Sequence, residues 1–390
     1  MLQRPIYLDS HATTPVAPQV LEAMYPYFME QFGNPSSSSH RYGWEAAAAV
    51  DQARGIIAAA INAEPTEIIF TSGATEANNL ALKGTAEAAY GQKSHIITVV
   101  TEHNAILDPC RYLASLGFAV TYLSVDEGGV INLAELAAAF RPETLLVSVM
   151  AANNEIGVLQ PLGAIGALCH ERGVYFHCDA AQALTKIPLN VQTMQIDLMS
   201  LTAHKLYGPK GIGALYVRRR QIQHGLRVNL SPQLHGGGHE RGLRSGTLYT
   251  PQIVGFGAAV ALGLELMAKE QSRLQNLRDQ LWSKLQPLPE IYLNGHPTQR
   301  LAGNLNISVG GLDGTALHLG LRPVVALSAG SACSSGESGQ PQPSHVLKAI
   351  GRSDRLARAS LRFGLGRYTT VAEIEQVTSH LVELIQSLRQ

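Results

Sequence analysis

Short apolar runs rich in isoleucine and valine alternate with longer segments of helical periodicity between about residues 68 and 218. Strands covered on both faces give continuous apolar runs, whereas the helices that cover them repeat apolar residues every three or four positions. The alternation therefore predicts an α/β fold with a mainly parallel sheet of about seven strands. The predicted strands are residues 68–70, 96–100, 120–123, 145–149, 174–177, 198–200 and 213–217.

The rest of the chain predicts a second, smaller unit. A long helical pattern covers about 251–285, strands are expected near 305–309 and 324–327, and a last helix covers 371–388. Because 390 residues exceed one ordinary core, we expect a large domain over 16–260 and a smaller α+β domain formed by 1–15 and 261–390. The apolar run from Ile253 to Met267 contains glycines and Glu265, so we interpret it as a buried helix rather than a membrane span.

Charge and cysteine content narrow the class of protein. Lysine plus arginine and aspartate plus glutamate are balanced at 30 each, which argues against a nucleic-acid binder and favours a small-molecule or protein partner. The first five residues lack the apolar stretch of a signal peptide, so we expect a cytoplasmic protein that does not associate with a membrane. The four cysteines, Cys110, Cys169, Cys178 and Cys333, lack CxxC or Cys/His ligand spacing, so we expect thiols and no metal site.

Two residues at strand ends point to a cofactor. Lys205 follows the strand at 198–200, and Asp179 follows the strand at 174–177. Ligands of parallel sheets collect at the carboxyl ends of the strands. Pyridoxal phosphate needs a lysine that binds it covalently as a Schiff base and a carboxylate that pairs with its ring nitrogen. The alternatives are a helix-capping aspartate and a solvated turn lysine, and Lys210 is the nearest rival of Lys205.

Other strand ends carry further candidates. The segment from Thr71 to Glu76 opens a helix and could cradle a phosphate, or it could be an ordinary capping box. His103 could stack on a flat heterocycle and exchange protons, although a lone histidine is more often a structural group.

Two residues of the carboxyl-terminal half are candidates for contact with a substrate. Cys333 precedes a low-complexity stretch of small polar residues at 334–343, where an accessible thiol could move as a nucleophile. Arg362 alternates with apolar neighbours and should point inward, where it could grip a carboxylate or form a structural ion pair.

Taken together, the motifs resemble those of the cysteine desulfurases of group I, the NifS/IscS type, in class V of the pyridoxal-phosphate aminotransferases. The resemblance extends through Tyr7-Leu8-Asp9, Ala12-Thr13-Thr14-Pro15 and Gly33-Asn34-Pro35-Ser36-Ser37 to Gly366-Arg367, which is nearly the whole chain. It implies the fold-type-I architecture of aspartate aminotransferase, pyridoxal 5'-phosphate as the cofactor, and a homodimer with shared active sites.

The resemblance also implies a role for individual residues. Lys205 would carry the cofactor, Asp179 would pair with its ring nitrogen and His103 would stack on the ring. The remaining implied contacts are Asn154 and Gln182 to the phenolic oxygen, Ala74, Thr75, Thr202 and His204 to the phosphate, Thr247 to the phosphate of the neighbouring subunit, and Asn34 and Arg362 to the substrate carboxylate.

The implied reaction converts L-cysteine to L-alanine and leaves the sulfur on Cys333 as a persulfide. The persulfide would pass to an acceptor such as an iron–sulfur scaffold or a tRNA-thiolation protein. A selenocysteine lyase or cystine C–S lyase of the same fold, which needs no such thiol, and a non-catalytic scaffold are the alternatives. The chain departs from the usual family pattern at Ser10-His11 and at Thr202, where serine is commoner, and its carboxyl tail looks shortened.

Overall fold

The computed structural model describes residues 4–219, 228–328 and 343–390. The strands are β1 (Ile6–Tyr7), β2 (Ile68–Thr71), β3 (His95–Val99), β4 (Ala119–Leu123), β5 (Thr144–Ser148), β6 (Tyr175–Asp179), β7 (Leu198–Thr202), β8 (Gly213–Val217), β9 (Ile291–Leu293), β10 (Asn304–Val309), β11 (Val325–Ala326) and β12 (Ser360–Gly364). The α-helices are α1 (Pro18–Met24), α2 (Pro26–Met29), α3 (Arg41–Ala60), α4 (Ala74–Ala88), α5 (Asn104–Ser115), α6 (Leu133–Ala139), α7 (Leu162–Glu171), α8 (Thr250–Leu285), α9 (Gly314–Leu321), α10 (His345–Ala349), α11 (Asp354–Arg358) and α12 (Val371–Leu388).

A seven-stranded sheet with the order β2-β8-β7-β6-β5-β3-β4 forms the centre of the molecule. Strand β8 is antiparallel to both of its neighbours, and the other pairs are parallel. The predicted mainly parallel seven-stranded sheet is therefore confirmed. The strands are almost entirely buried apart from β4 at the edge, which explains their unbroken apolar runs.

Separate hydrophobic clusters lie on the two parts of the chain. The residues of β2 to β8 and their covering helices form two of them, whereas Leu8, the second half of α8, β10, β12 and α12 form another. In this second part β10 pairs with β9 and β12 in an antiparallel sheet, and β1 pairs with β11. The predicted strands of this part omitted β9, β12 and the two-residue β1, and the proposed domain boundaries stay a prediction.

Helix α8 connects the two parts. It is long and apolar enough to cross a bilayer by length and composition alone, and 44% of its most apolar window is buried in the protein. Ile253, Phe256 and Val260 belong to the main core, and a methyl group on Gly257 would lie 2.9 Å from the Cα atom of Ala53 on α3. The helix therefore serves as a core element, as its interrupted apolar run indicated.

A buried ion pair links Glu240 to helix α3 of this core. Arg54 of α3 donates to both carboxylate oxygens of Glu240 at 2.8 and 2.7 Å. Glu240 also accepts a hydrogen bond from the backbone N–H of Phe70 at 2.7 Å. Both side chains are almost fully buried, so each charge is stabilised by the opposite charge of its partner instead of by water.

We expect Arg54→Ala to lower the free energy of unfolding by about 3 kcal/mol, because it leaves the Glu240 carboxylate buried without its cation. Urea denaturation followed by circular dichroism measures the change. The exposed pair Arg41 and Glu45 provides the control, since Arg41→Ala should cost less than about 0.5 kcal/mol. Equal losses in the two variants would contradict the stabilising role of the buried pair.

Candidate active site

The carboxyl ends of β5, β6 and β7 define one edge of the sheet. Asp179 at the end of β6 is in register with Ser200 of β7, and its carbonyl accepts a hydrogen bond from Ala151, just after β5, at 2.9 Å. The parallel arrangement thus places Asp179, Thr202 and the loop that contains Asn154 at the same edge.

The carboxylate of Asp179 is held by two donors. Its Oδ2 atom accepts from Asn78 Nδ2 at 2.8 Å, and Oδ1 accepts from the backbone N–H of Ala181 at 2.9 Å. Asp179 is 5% exposed, and Asn78 on α4 is fully buried. These bonds fix the orientation of the carboxylate and leave lone pairs for a cationic partner.

The amino terminus of α4 forms an anion cradle beside β7. Gly73 is the N-cap, no side chain among the described residues caps the helix there, and the first-turn amides lack acceptors within the helix. The hydroxyl of Thr202 is buried with no hydrogen-bond partner in the described part of the chain, and a Cβ atom on Gly73 would lie 3.9 Å from it. A Cβ atom on Gly213 would come within 2.7 Å of Gly73 Cα, so glycine keeps this approach open.

Glu76 does not close the cradle as a capping box would. Its carboxylate accepts from the Ser72 backbone N–H at 2.7 Å and from Arg244 Nε at 2.8 Å. Burial opposes ionisation, but the hydrogen bonds from Arg244 and Ser72 hold the pKa of Glu76 below its usual value. Thr71 donates to the carbonyl of Gly73 at 3.0 Å, so its hydroxyl does not cap the helix either.

His103 is a neutral imidazole in this site. Its Nδ1 atom accepts from the backbone N–H of Ala105 at 3.0 Å and caps α5, which places the proton on Nε2. Burial and the positive charge of Lys205 lower the pKa of His103, whereas Asp179 raises it. Lys205 and Asp179 thus act on His103 in opposite directions.

The turn that carries Lys205 is fixed by the amino-terminal segment. Thr14 Oγ1 donates to the carbonyl of His204 at 2.9 Å and accepts from the backbone N–H of Tyr207 at 2.8 Å. Tyr207 has a φ angle of 66°, which is rare for a residue with a side chain, so these contacts hold the turn in a costly conformation. Lys210 is exposed, unlike Lys205, which is partly buried.

His204 faces the same segment. Its Nδ1 atom lies 3.1 Å from Thr13 Oγ1, and burial together with nearby Lys205 and Lys210 lowers its pKa to about 4. The ring is therefore neutral near pH 7 and can offer an N–H to an anion without carrying a charge.

Arg362 forms the ion pair that was one of the two roles considered for it. Its guanidinium forms a 2.7 Å ion pair with Asp9 and donates to the carbonyl of Asn154 at 3.0 Å. It is 2% exposed, and its Nε atom has no hydrogen-bond partner within the described residues. A structural ion pair is thus present, and donors remain for a carboxylate ligand.

Gln182 lies in a tight polar network. Its Nε2 atom donates to the carbonyl of His11 at 2.8 Å, and its Oε1 atom accepts from Lys186 Nζ at 3.1 Å. Gln182 is almost fully buried, so these two neighbours determine how it can contact a ligand.

Two of the predicted site residues have no described contact with this cluster in the single chain. Thr247 and Asn34 are exposed, and Asn34 Oδ1 accepts from its neighbour Ser36 at 2.9 Å. Cys333 lies outside the described residues.

The three other cysteines are buried. Burial raises the pKa of Cys110 to about 12 and also raises the pKa values of Cys169 and Cys178. None of these three is therefore suited to act as a thiolate near neutral pH.

Sequence reasoning missed Asn78, Lys186 and Asp9. A signal for Asn78 was present, because it is a polar residue on the face of α4 that also carries the buried Ala77 and Ala81. A polar side chain on a buried helical face needs a partner. The partner of Asp9, Arg362, lies in a distant segment, whereas Lys186 bonds to Gln182 only four residues earlier.

Comparisons with known proteins show the family of this chain. The sequence profile of the aminotransferase class-V family matches residues 6–377. A protein of Shewanella sp. (strain MR-4) described as cysteine desulfurase IscS is 50% identical over 391 aligned residues, covering all of this chain and 95% of that protein.

Solved structures are also similar over the whole chain. One described as a NifS-like protein has a TM-score of 0.88 and 35% identity, covering 98% of this chain and 100% of its own. Another, described as SspA in complex with cysteine, has a TM-score of 0.79 and 40% identity, covering 94% of this chain and 100% of its own.

The chain therefore belongs to the aminotransferase class-V family, whose cofactor is pyridoxal phosphate, and within it to the cysteine desulfurases. The residues present fit that cofactor. The unpartnered Thr202 hydroxyl and the uncapped α4 amides suit a phosphate, and the oriented carboxylate of Asp179 suits a protonated ring nitrogen.

We expect Asn78→Ala to weaken pyridoxal phosphate binding roughly tenfold, because Asp179 loses a hydrogen bond that fixes its carboxylate. Fluorescence titration of the cofactor-free protein measures the dissociation constant. Thr85→Val is the matched control, since it removes a buried hydroxyl of α4 far from Gly73. An unchanged constant in Asn78→Ala, or an equal loss in both variants, would contradict the role of Asn78.

Proposed function

We propose that this chain converts L-cysteine to L-alanine and transfers the sulfur to Cys333, using the edge formed by β5, β6 and β7 as its active site. The observation that carries this proposal is the oriented carboxylate of Asp179 beside the uncapped amino terminus of α4 and the hydroxyl of Thr202, which is unpartnered among the described residues. The full-length similarity to cysteine desulfurases supports the same reaction.

The cofactor would be held by residues from several elements. Thr202, His204 and the amides of Ala74 and Thr75 would bind its phosphate, and Asp179 would pair with its ring nitrogen. Asn154 and Gln182 would contact its phenolic oxygen. When bound, pyridoxal phosphate supplies an electron sink that acidifies the α-proton of an attached amino acid.

The residues of this chain would bind the substrate and transfer its α-proton. Lys205 would hold the cofactor, and its amine would take the α-proton of the substrate at Nζ. His103, neutral and with its proton on Nε2, would stack on the ring and exchange protons. Arg362 and Asn34 would hold the substrate carboxylate and so orient the side-chain sulfur.

The sulfur step balances without a further reactant. The thiolate of Cys333 would attack the substrate sulfur, so that an S–S bond forms while the bond between Cβ and sulfur breaks. The electron pair of that bond stays on the carbon skeleton, which gains a proton and leaves as alanine. The enzyme retains the persulfide, which would then pass to an acceptor protein such as an iron–sulfur scaffold in the cytoplasm.

We expect Cys333→Ala to abolish alanine formation from L-cysteine while the cofactor stays bound, since the acceptor thiol is missing. Alanine is counted by chromatography, and mass analysis of the wild-type protein should show one additional sulfur on Cys333. Cys169→Ala, which removes a buried thiol of α7, is the control and should keep its activity.

Unimpaired alanine formation by Cys333→Ala would instead favour a lyase that needs no thiol, such as a selenocysteine or cystine lyase. A wild-type protein that cannot bind the cofactor would favour a non-catalytic scaffold. Lys205→Ala should lose turnover completely, and activity in that variant would contradict the assignment of the lysine.

An exposed aromatic patch supports a homodimer. Phe28, Met29, Phe32, Tyr42 and Trp44 each expose 46% or more of their surface around α2 and the start of α3. An exposed apolar patch of this kind is typical of a protein–protein interface.

Thr247 is linked to this patch in space through its neighbour Tyr249. Tyr249, two residues further on, packs edge-on against Phe28 with ring centroids 6.3 Å apart. A second copy seated on the patch would therefore meet Thr247, which agrees with the expectation that Thr247 contacts the phosphate of the neighbouring subunit.

Subunit mixing tests this arrangement. We expect Thr247→Ala to bind the cofactor roughly tenfold more weakly and Lys205→Ala to be inactive. In a mixed dimer, one site would combine Lys205 from the Thr247→Ala subunit with Thr247 from the Lys205→Ala subunit. Activity at limiting cofactor should therefore reappear after the two proteins are unfolded, mixed and refolded together. A mixture no more active than the sum of its parts would contradict shared sites.

A further inference from the structure

Gln182 is held from two sides by groups that the predicted site did not include. The carbonyl of His11 lies 2.8 Å from Nε2, and Nζ of Lys186 lies 3.1 Å from Oε1. His11 belongs to the amino-terminal segment, and Lys186 follows Gln182 by four residues within the turns after β6.

These contacts identify the nitrogen and the oxygen of the Gln182 side-chain amide. A backbone carbonyl only accepts hydrogen bonds, so the atom facing His11 must be the amide nitrogen. The amine of Lys186 donates to the other end in its charged and its neutral form, so that end is the oxygen. One N–H of Gln182 Nε2 binds the carbonyl of His11. Among the described contacts, the second N–H of Nε2 has no acceptor and can donate to a ligand.

We propose that Lys186 is a positioning residue, which fixes the Gln182 amide so that it presents an N–H rather than an oxygen to the phenolic oxygen of the cofactor. The inference rests on the proposed function of this site. A donor at this place favours the deprotonated, negatively charged phenolic oxygen, whereas a flipped amide would repel it.

The surroundings of Lys186 keep its amine at Gln182. The carbonyl of Lys186 accepts from Gln271 Nε2 at 2.5 Å, which anchors the backbone to α8. Lys186, Lys205, His11 and Glu270 line a cavity of about 50 Å³. Burial and Lys205 lower the pKa of Lys186 to about 7, and Glu270 partly offsets them.

The experiment compares holoenzymes of the wild type, Lys186→Met, Lys186→Arg and Gln182→Glu. We expect Lys186→Met to weaken cofactor binding roughly tenfold and to raise the pH midpoint of the cofactor's visible absorbance change by about one unit. Lys186→Arg, which keeps a donor, should restore both values. Gln182→Glu can accept from Lys186 but cannot donate, so it should reproduce the spectral change even if Lys186→Met fails to fold.

A double-mutant cycle separates positioning from a general effect of charge. In a Gln182→Ala background, Lys186→Met should change the pH midpoint much less than in the wild type, because only the direct effect of the Lys186 charge remains once no amide is left to be oriented. The same change with and without Gln182 would overturn the proposal and indicate that the charge acts on Lys205 directly. Lys269→Met, which removes an exposed lysine of α8, is the charge control and should behave as the wild type.

The result is distinguishable from failure of the proposed function. If the wild type binds no pyridoxal phosphate or forms no alanine, the proposed function fails. If the wild type does both and Lys186→Met has the same spectrum and affinity, only the role of Lys186 is overturned.

Discussion

The parallel register of β6 between β5 and β7 is the constraint on which the candidate site depends. It places Asp179 opposite Ser200 and leaves both strand ends at the same edge. Strand direction alone therefore brings a carboxylate, a threonine hydroxyl and the loop with Lys205 together. A parallel sheet repeats this convergence at every strand, which explains why residues 100 positions apart in sequence share one site.

Residues outside that edge give the convergent groups their orientation. Asn78 directs the carboxylate of Asp179, Thr14 holds the turn around Lys205, and Asp9 pairs with Arg362. Each supporting contact comes from another segment, and two of the three come from the amino-terminal residues. The segment from Asp9 to Thr14 thus contacts both the sheet edge and β12, the strand of Arg362.

The electrostatics of the site follow from burial beside lysines. His103 and His204 both have lowered pKa values, because burial and Lys205 disfavour a second positive charge. Neutral imidazoles can donate and accept hydrogen bonds, which suits contacts to a ring and a phosphate. The same lysine also lowers the pKa of Lys186, so several ionisable groups at this edge respond to one amine.

The sequence alone determined the sheet, the long helix α8, the last helix and the class of enzyme, because apolar periodicity and short motifs are local properties of the chain. It also selected Lys205, Asp179 and His103 through their positions after strands. The tertiary structure decided the contacts between distant segments, such as Asn78 with Asp179, Asp9 with Arg362, and Gln182 with His11. A hydrogen bond between residues 101, 353 or 171 positions apart leaves no local pattern, since only folding brings its donor and acceptor together.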